Sequence, residues 1–334
     1  MLKFETILEM KPFPGTVTAY APGTRTPSPF AFVLNISELV GRDAVEIIPG
    51  RIMRRANEAE IKFIKEVLES SFRNYADGGL WETRKPKSGS GKFLNLPAKR
   101  WRYFVIELGD ESREVELLES TLSVASCDLE IGFILSVATL KSTVLPVCLY
   151  SPPRLFQSLS ALSYAYGPSK RFTEPDAEQV RKIYSRLMAY DNGILDLDKV
   201  FKLLFGLKDL PRFSPLQVLG YFSLLESILT HAPKPDDRYD SITRQIKQKL
   251  ALLNKRWKPP LDYSAFAAPS HDKIWPKMYA YRSAIAHGGT PNFTGELAVL
   301  GKAENANALI SEAVKKTILQ VIEEPQLIAD LRDC

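Results

Sequence analysis

The chain has 334 residues, 45% of them hydrophobic and 25% charged, with 44 Lys and Arg against 39 Asp and Glu. That length suits two domains, and that composition suits a chain able to bury a sizeable core. The net charge of +5 excludes an acidic solvating chain, and three cysteines without a CxxC pair speak against a zinc ribbon, a disulfide scaffold and a thioredoxin-like motif.

Cys127, Cys148 and Cys334 fit a reducing cytoplasm. The three histidines, His231, His271 and His287, contain no HExxH pair, so neither a metal nor another cofactor is expected. Met1 to Glu5 lacks the basic and apolar regions of a secretory leader. The longest apolar run, Ile131 to Leu140, is too short to cross a bilayer core of about 30 Å as a helix. It reads as a buried strand or a core helix. A cytoplasmic protein without a membrane partner is expected.

Phe30 to Ile36, Val45 to Met53 and Trp101 to Leu108 read as strands, rich in aromatic and branched residues. Asn57, with Glu60 three residues on, marks a helix start, and Ile61, Ile64 and Leu68 then share one face. Arg84 to Arg100 reads as a basic loop. Its Gly89-Ser-Gly-Lys-Phe93 is not a P-loop: Pro86 stands where the first glycine belongs, and Phe93 stands where Ser or Thr must follow the lysine.

Residues 1–150 carry 19 basic and 19 acidic side chains, so the whole +5 lies in 151–334. The breakers Pro152-Pro153, Gly167-Pro168 and Glu174-Pro175 place a linker over 151–173. The expected fold class is α+β: a mixed α/β domain over 1–150 and an all-α bundle over 174–334.

In that second part Thr173-Glu-Pro-Asp176 is a capping box with proline in the first turn. The stripe Val180, Ile183, Tyr184, Leu187 follows. Further stripes run through Leu197 to Leu204, Val218 to Leu229, Ile242 to Leu253 and Ile310 to Val321. Another helix runs from about Asp272 to His287 and is stopped by Gly288-Gly289.

Arg282 and His287 carry the chemistry in this reading. Arginine stays cationic and grips two phosphate oxygens through its fork. Imidazole takes and returns a proton near neutrality. Positions five apart on a helix point about 140° from each other, so one copy of the pair is splayed, and two copies across a two-fold axis would surround one phosphate. Ser283 is four residues before His287 on the same helix face, within hydrogen-bonding reach, and Tyr279 is one turn further back. Glu226 lies among leucines, where a buried charge needs a partner; it reads either as orienting Arg282 or as an acid on an exposed helix flank. Ser241 to Lys258 contains no acid. Its Arg244, Lys247, Lys255 and Arg256 read as a phosphate-contacting ridge, with Trp257 for base stacking. A solvated helix face is the plainer reading of the same charges. His231 and His271 read as structural, one at a helix end and the other at a helix start.

Three pieces stand in order: Tyr221-Phe-Ser-Leu-Leu-Glu226-Ser-Ile-Leu, the basic helix from Arg244 to Leu253, and Tyr279-Ala-Tyr-Arg282-Ser-Ala-Ile-Ala-His287-Gly288. Over about residues 174–325 the chain thereby resembles the HEPN superfamily, and within it the Apea-like branch. The position after the arginine departs from the family, which often has Asn, Asp or His where this chain has Ser283. The resemblance implies a HEPN-type bundle and a metal-independent endoribonuclease, active as a homodimer and cutting RNA to a 2′,3′-cyclic phosphate. His287 would act as acid or base, and Arg282 would stabilise charge on phosphorus. Toxins and anti-phage defence effectors are this family's usual home, which implies a sensing or regulatory role for the domain over 1–150. The alternative it implies is a non-catalytic RNA- or protein-binding module, with a separate regulatory or antitoxin partner.

Overall fold

The computed structural model describes residues 2–3, 16–19, 28–72, 81–84, 94–97, 102–109, 112–140, 143–164, 170–212, 214–232 and 241–334. The fold is α+β, with the strands in the N-terminal part and a helical C-terminal part. The chain divides into two compact units, 1–188 and 189–334. No helix among the described residues is long and apolar enough to cross a membrane.

The first unit holds β1 (Leu2–Lys3), β2 (Thr16–Ala19), β3 (Phe30–Val33), β4 (Ile36–Leu39), β5 (Ala44–Ile48), β6 (Arg51–Arg55), α1 (Glu58–Phe72), β7 (Trp81–Arg84), β8 (Leu94–Pro97), β9 (Phe104–Glu107), α2 (Ser112–Val124), β10 (Ile131–Leu140), β11 (Thr143–Tyr150), α3 (Pro152–Tyr164), β12 (Lys170–Phe172) and α4 (Glu174–Met188). The main sheet runs β2-β11-β10-β3-β9-β6-β5, with β1 parallel to β10 and the other pairs antiparallel. Phe30, Phe32 and Phe133 from its centre pack with Phe63, Ile64, Val67 and Leu68 of α1 and with Leu155 and Leu159 of α3.

The Asn57/Glu60 start is a reciprocal cap. The Glu60 N–H donates to Asn57 Oδ1 at 3.0 Å, and the Asn57 N–H donates to Glu60 Oε2 at 2.7 Å. Glu60 is buried, and it also holds Arg54 through two nitrogens at 2.8 and 2.9 Å. The Ile131 run is a strand. Val45 to Met53 is a hairpin rather than one strand, because it turns at Pro49-Gly50, where Gly50 takes φ +73°. The expected loop 84–100 contains β8, which pairs with β7, and the segment 85–93 with its Gly89 to Lys92 lies outside the described residues.

The boundary differs from the expected linker over 151–173. Residues 152–164 form α3, because two prolines in a first turn forfeit no intrahelical hydrogen bond. Ser151 starts this helix through its hydroxyl, which accepts the Arg154 N–H at 3.4 Å. The Thr173/Asp176 cap then opens α4. Ala177, Val180, Ile183, Tyr184 and Leu187 form its buried stripe, and α4 packs on β5 and α2. It completes the first unit instead of opening the bundle. The short β12 ties the same stretch to β4 in parallel.

The second unit holds α5 (Leu197–Asp209), α6 (Pro215–Leu229), α7 (Ile242–Arg256), α8 (His271–Ala286), a 3-10 turn at Ala298–Leu300, α9 (Ala303–Glu323) and α10 (Pro325–Asp333). The caps are legible in the sequence. Asp196 accepts the Lys199 N–H, Ser214 the Leu216 N–H and Ser241 the Arg244 N–H. Helix α6 is apolar around most of its circumference and sits among α5, α7, α8, α9 and α10. Gly220 lets α5 approach it closely: a Cβ there would stand 2.0 Å from Leu207 Cδ2. Glu226 is the acid on this central helix.

Candidate functional site

The Arg/His segment is the C-terminal half of α8. Its end is fixed by backbone geometry. Gly288 adopts φ +71°, its N–H donates to the Ile285 carbonyl at 3.0 Å, and the Gly289 N–H donates to the Ala284 carbonyl at 2.8 Å. These are the paired bonds of a Schellman cap, and they leave His287 as the capping residue with its side chain exposed. The expected stop signal is therefore the one used.

Arg282 and Glu226 meet between α8 and α6. The guanidinium Nη2 is 3.5 Å from Glu226 Oε1, and both side chains are about three-quarters buried, at 29% and 21% exposure. The contact is an ion pair without a hydrogen bond. Glu226 Oε1 and Arg282 Nε are each buried with no hydrogen-bond partner. Burial pushes the Glu226 carboxyl above its ordinary range, and the opposing pull of Arg282 is the smaller effect. The guanidinium carbon lies 5.5 Å from the centre of the Tyr279 ring, a cation–π distance. Tyr279 is in turn set edge-on against Phe222 of α6 at 5.7 Å. Phe222, one helical turn before Glu226, is a supporting residue that the sequence reading missed, and its position in the family-like segment was the available signal.

Ser283 and His287 are joined through the backbone, by the His287 N–H to the Ser283 carbonyl at 3.1 Å. The expected bond from the Ser283 hydroxyl to the imidazole is absent among the described residues.

The basic helix α7 is less of a ridge than its sequence implies. Arg244 and Lys255 are exposed. Lys247 reaches Asp272 at 3.2 Å, and Arg256 grips both oxygens of Glu324 at 2.9 and 2.7 Å. Lys249 is buried and donates to the Arg332 carbonyl at 3.2 Å. Trp257 does not project for stacking. It is 8% exposed, because it caps α7 and turns its ring into the bundle.

The other two histidines are structural. His231 Nδ1 meets the Arg332 carbonyl at 2.8 Å at the end of α10. His271 has both ring nitrogens engaged. Nε2 donates to the Lys247 carbonyl at 2.9 Å, which fixes the tautomer, and Nδ1 accepts from the Tyr263 hydroxyl at 2.9 Å. That hydroxyl also accepts the Trp275 indole N–H at 3.0 Å. Burial lowers the His271 pKa, so the neutral ring is favoured. Tyr263 had no sequence signal, since it belongs to the irregular segment between α7 and α8.

Comparison with protein-family models, curated proteins and solved structures gives no match.

Proposed function

We propose that the second unit is a HEPN-type bundle and that the protein is a cytoplasmic, metal-independent endoribonuclease of the toxin or anti-phage defence type, acting as a homodimer on RNA. The observation that carries this reading is one short segment, α8 and its cap, which holds a largely buried cation at Arg282 and an exposed imidazole at His287.

In this reading His287 takes the proton of a ribose 2′-hydroxyl. The freed oxygen attacks the adjacent phosphorus, the bond from phosphorus to the 5′-oxygen breaks, and that oxygen receives a proton. The products are a 2′,3′-cyclic phosphate and a 5′-hydroxyl. Arg282 stabilises the extra negative charge on the pentacoordinate phosphorus, an effect that is usually large in a desolvated site. Tyr279 and Glu226 position the guanidinium. Since the two side chains splay from one helix, a second copy completes the site around the phosphate. Arg244 and Lys255 are exposed on α7, where they would meet the RNA backbone.

The test is cleavage of a structured RNA in EDTA by wild type and by His287→Ala. Cleavage leaving cyclic-phosphate ends, lost in the variant, is the expected result. Cleavage that survives the substitution overturns the reading.

A second reading, a non-catalytic RNA- or protein-binding module with a separate regulatory or antitoxin partner, is favoured by the tie between Arg282 and Glu226. That tie occupies the cation with an internal acid. RNA binding without cyclic-phosphate ends would select it. Light scattering on Arg282→Ala and His287→Ala separates dimer formation from chemistry.

A further inference from the structure

Glu226 and Arg282 form an incomplete pair. A buried ion pair is favourable when its remaining protons and lone pairs are also satisfied. Here the closest approach, at 3.5 Å, is too long for a hydrogen bond, and Oε1 and Nε are both buried without partners. The guanidinium also lies at a cation–π distance from the Tyr279 ring, which packs edge-on against Phe222. The cation thus has a second contact besides the carboxylate, which it meets without a hydrogen bond.

Arg282 of α8 is the charged group that acts on Glu226. The other helices packed against α6 bring no charge to bear on it among the described residues. The positive charge of Arg282 is thus what favours the ionised carboxylate against burial, and burial already has the larger effect. An anion arriving at Arg282 would place two negative charges on one cation in a half-buried site. Like charges sharing a site push the weaker acid to take up a proton.

We propose that Arg282 binds the oxyanion of a phosphodiester in exchange with Glu226, and that each anion bound brings one proton from solvent onto the Glu226 carboxyl. This rests on the reading of Arg282 as a phosphate-binding residue, and it adds a regulation to it. Glu226 is an internal competitor for the cation as well as a positioning residue. Occupancy of the site then falls as pH rises through the range where Glu226 ionises.

The experiment is calorimetric titration of the full chain with a dithymidine phosphodiester, which lacks the 2′-hydroxyl and so is not cut by 2′-attack. It is run in buffers of differing ionisation heat over about pH 5 to 8, where folded proteins are usually most stable. Wild type should take up close to one proton per site, with affinity rising by up to about tenfold per unit fall in pH inside the window. Glu226→Gln should take up none, bind at least as tightly as wild type at low pH, and show a flat profile. His287→Gln should keep the uptake, which assigns the proton to Glu226 rather than to the imidazole. Arg282→Ala should bind more than about tenfold more weakly, the scale of losing one charge-assisted contact.

Three results overturn the proposal: no proton uptake by wild type, a count that require measuring no variant; uptake unchanged in Glu226→Gln; or uptake lost in His287→Gln. Proton-linked binding in a protein that never cuts RNA removes the nuclease reading and leaves this one standing. Cleavage of RNA without linked protons does the reverse.

Discussion

Glu226 and Arg282 face each other across α6 and α8 at 3.5 Å with no hydrogen bond between them, so each is half of a charge pair that neither completes. The stability consequence has a definite sign. The Glu226 pKa is raised in the folded state, so the folded protein holds this proton more tightly than the unfolded chain. The contribution is present at low pH and is lost as pH rises through the folded value. Arg282→Ala removes the one compensating charge and should cost about 1–3 kcal/mol at neutral pH, the scale for stranding a buried polar group. Glu226→Gln should melt at or above wild type at neutral pH, and the double variant should recover most of the arginine loss. Thermal denaturation of the four proteins at two pH values measures this. A Glu226→Gln variant less stable than Arg282→Ala at neutral pH would contradict it.

His271 gives the opposite pH dependence. Its folded pKa is lowered, so the unfolded chain binds the proton first as pH falls below about 6.5. The stability it contributes is complete above that value and declines through the window down to the folded pKa. Tyr263→Phe should cost about 1–3 kcal/mol by leaving Trp275 Nε1 and His271 Nδ1 unpartnered. Denaturant melts of wild type and His271→Gln from neutral to acid pH should converge if this ring is responsible. Parallel curves would show that it is not.

Gly206 of α5 and Gly220 of α6 should respond to substitution with opposite signs. Gly206 lies in α5 with open space where a Cβ would stand, so Gly206→Ala should stabilise by about 0.4–1 kcal/mol. Gly220→Ala drives a methyl into Leu207 and should destabilise by about 1–3 kcal/mol. Chemical denaturation midpoints decide between these signs.

Much of this was written locally in the sequence. The caps at Asn57, Thr173 and Ser241 and the stop at Gly288 are short-range devices, and each is read from residues within one helical turn. The helix 152–164 was obscured because Pro152-Pro153 is both a loop signal and a helix start, and only the bonds to Ser151 decide which. The placement of α4 was not legible, since an amphipathic stripe states that a face is buried and not against what. The same limit applies to α7, where the sequence displays its positive charges but not Glu324 or Asp272, which come from distant segments to meet them. Trp257 was misplaced for a related reason: a tryptophan beside lysines looks exposed until the turn after the helix is known.

The division at 188/189 is open to a direct check. Val180 is fully buried in α4 within the first unit. Val180→Asp buries an unpaired charge there and should cost several kcal/mol, on the order of 3 or more. Limited proteolysis of that variant should degrade the N-terminal part and leave a resistant fragment beginning near residue 189. Loss of the C-terminal fragment instead would return α4 to the helical unit.

The pairing of β12 with β4, and the seat of α4 on β5, have a consequence for synthesis. The central strand β3 waits for β10, about a hundred residues later, and β4 and β5 wait longer still, for residues 170–188. A nascent N-terminal unit is therefore unfinished until its last helix has left the ribosome. The bundle that follows holds helices and no strand among its described residues, a class that folds faster than sheets with distant pairings. The slower half of this protein is made first and is closed only by its own final residues, so the time when its sheet edges stand open is set by the ribosome's pace through 170–188.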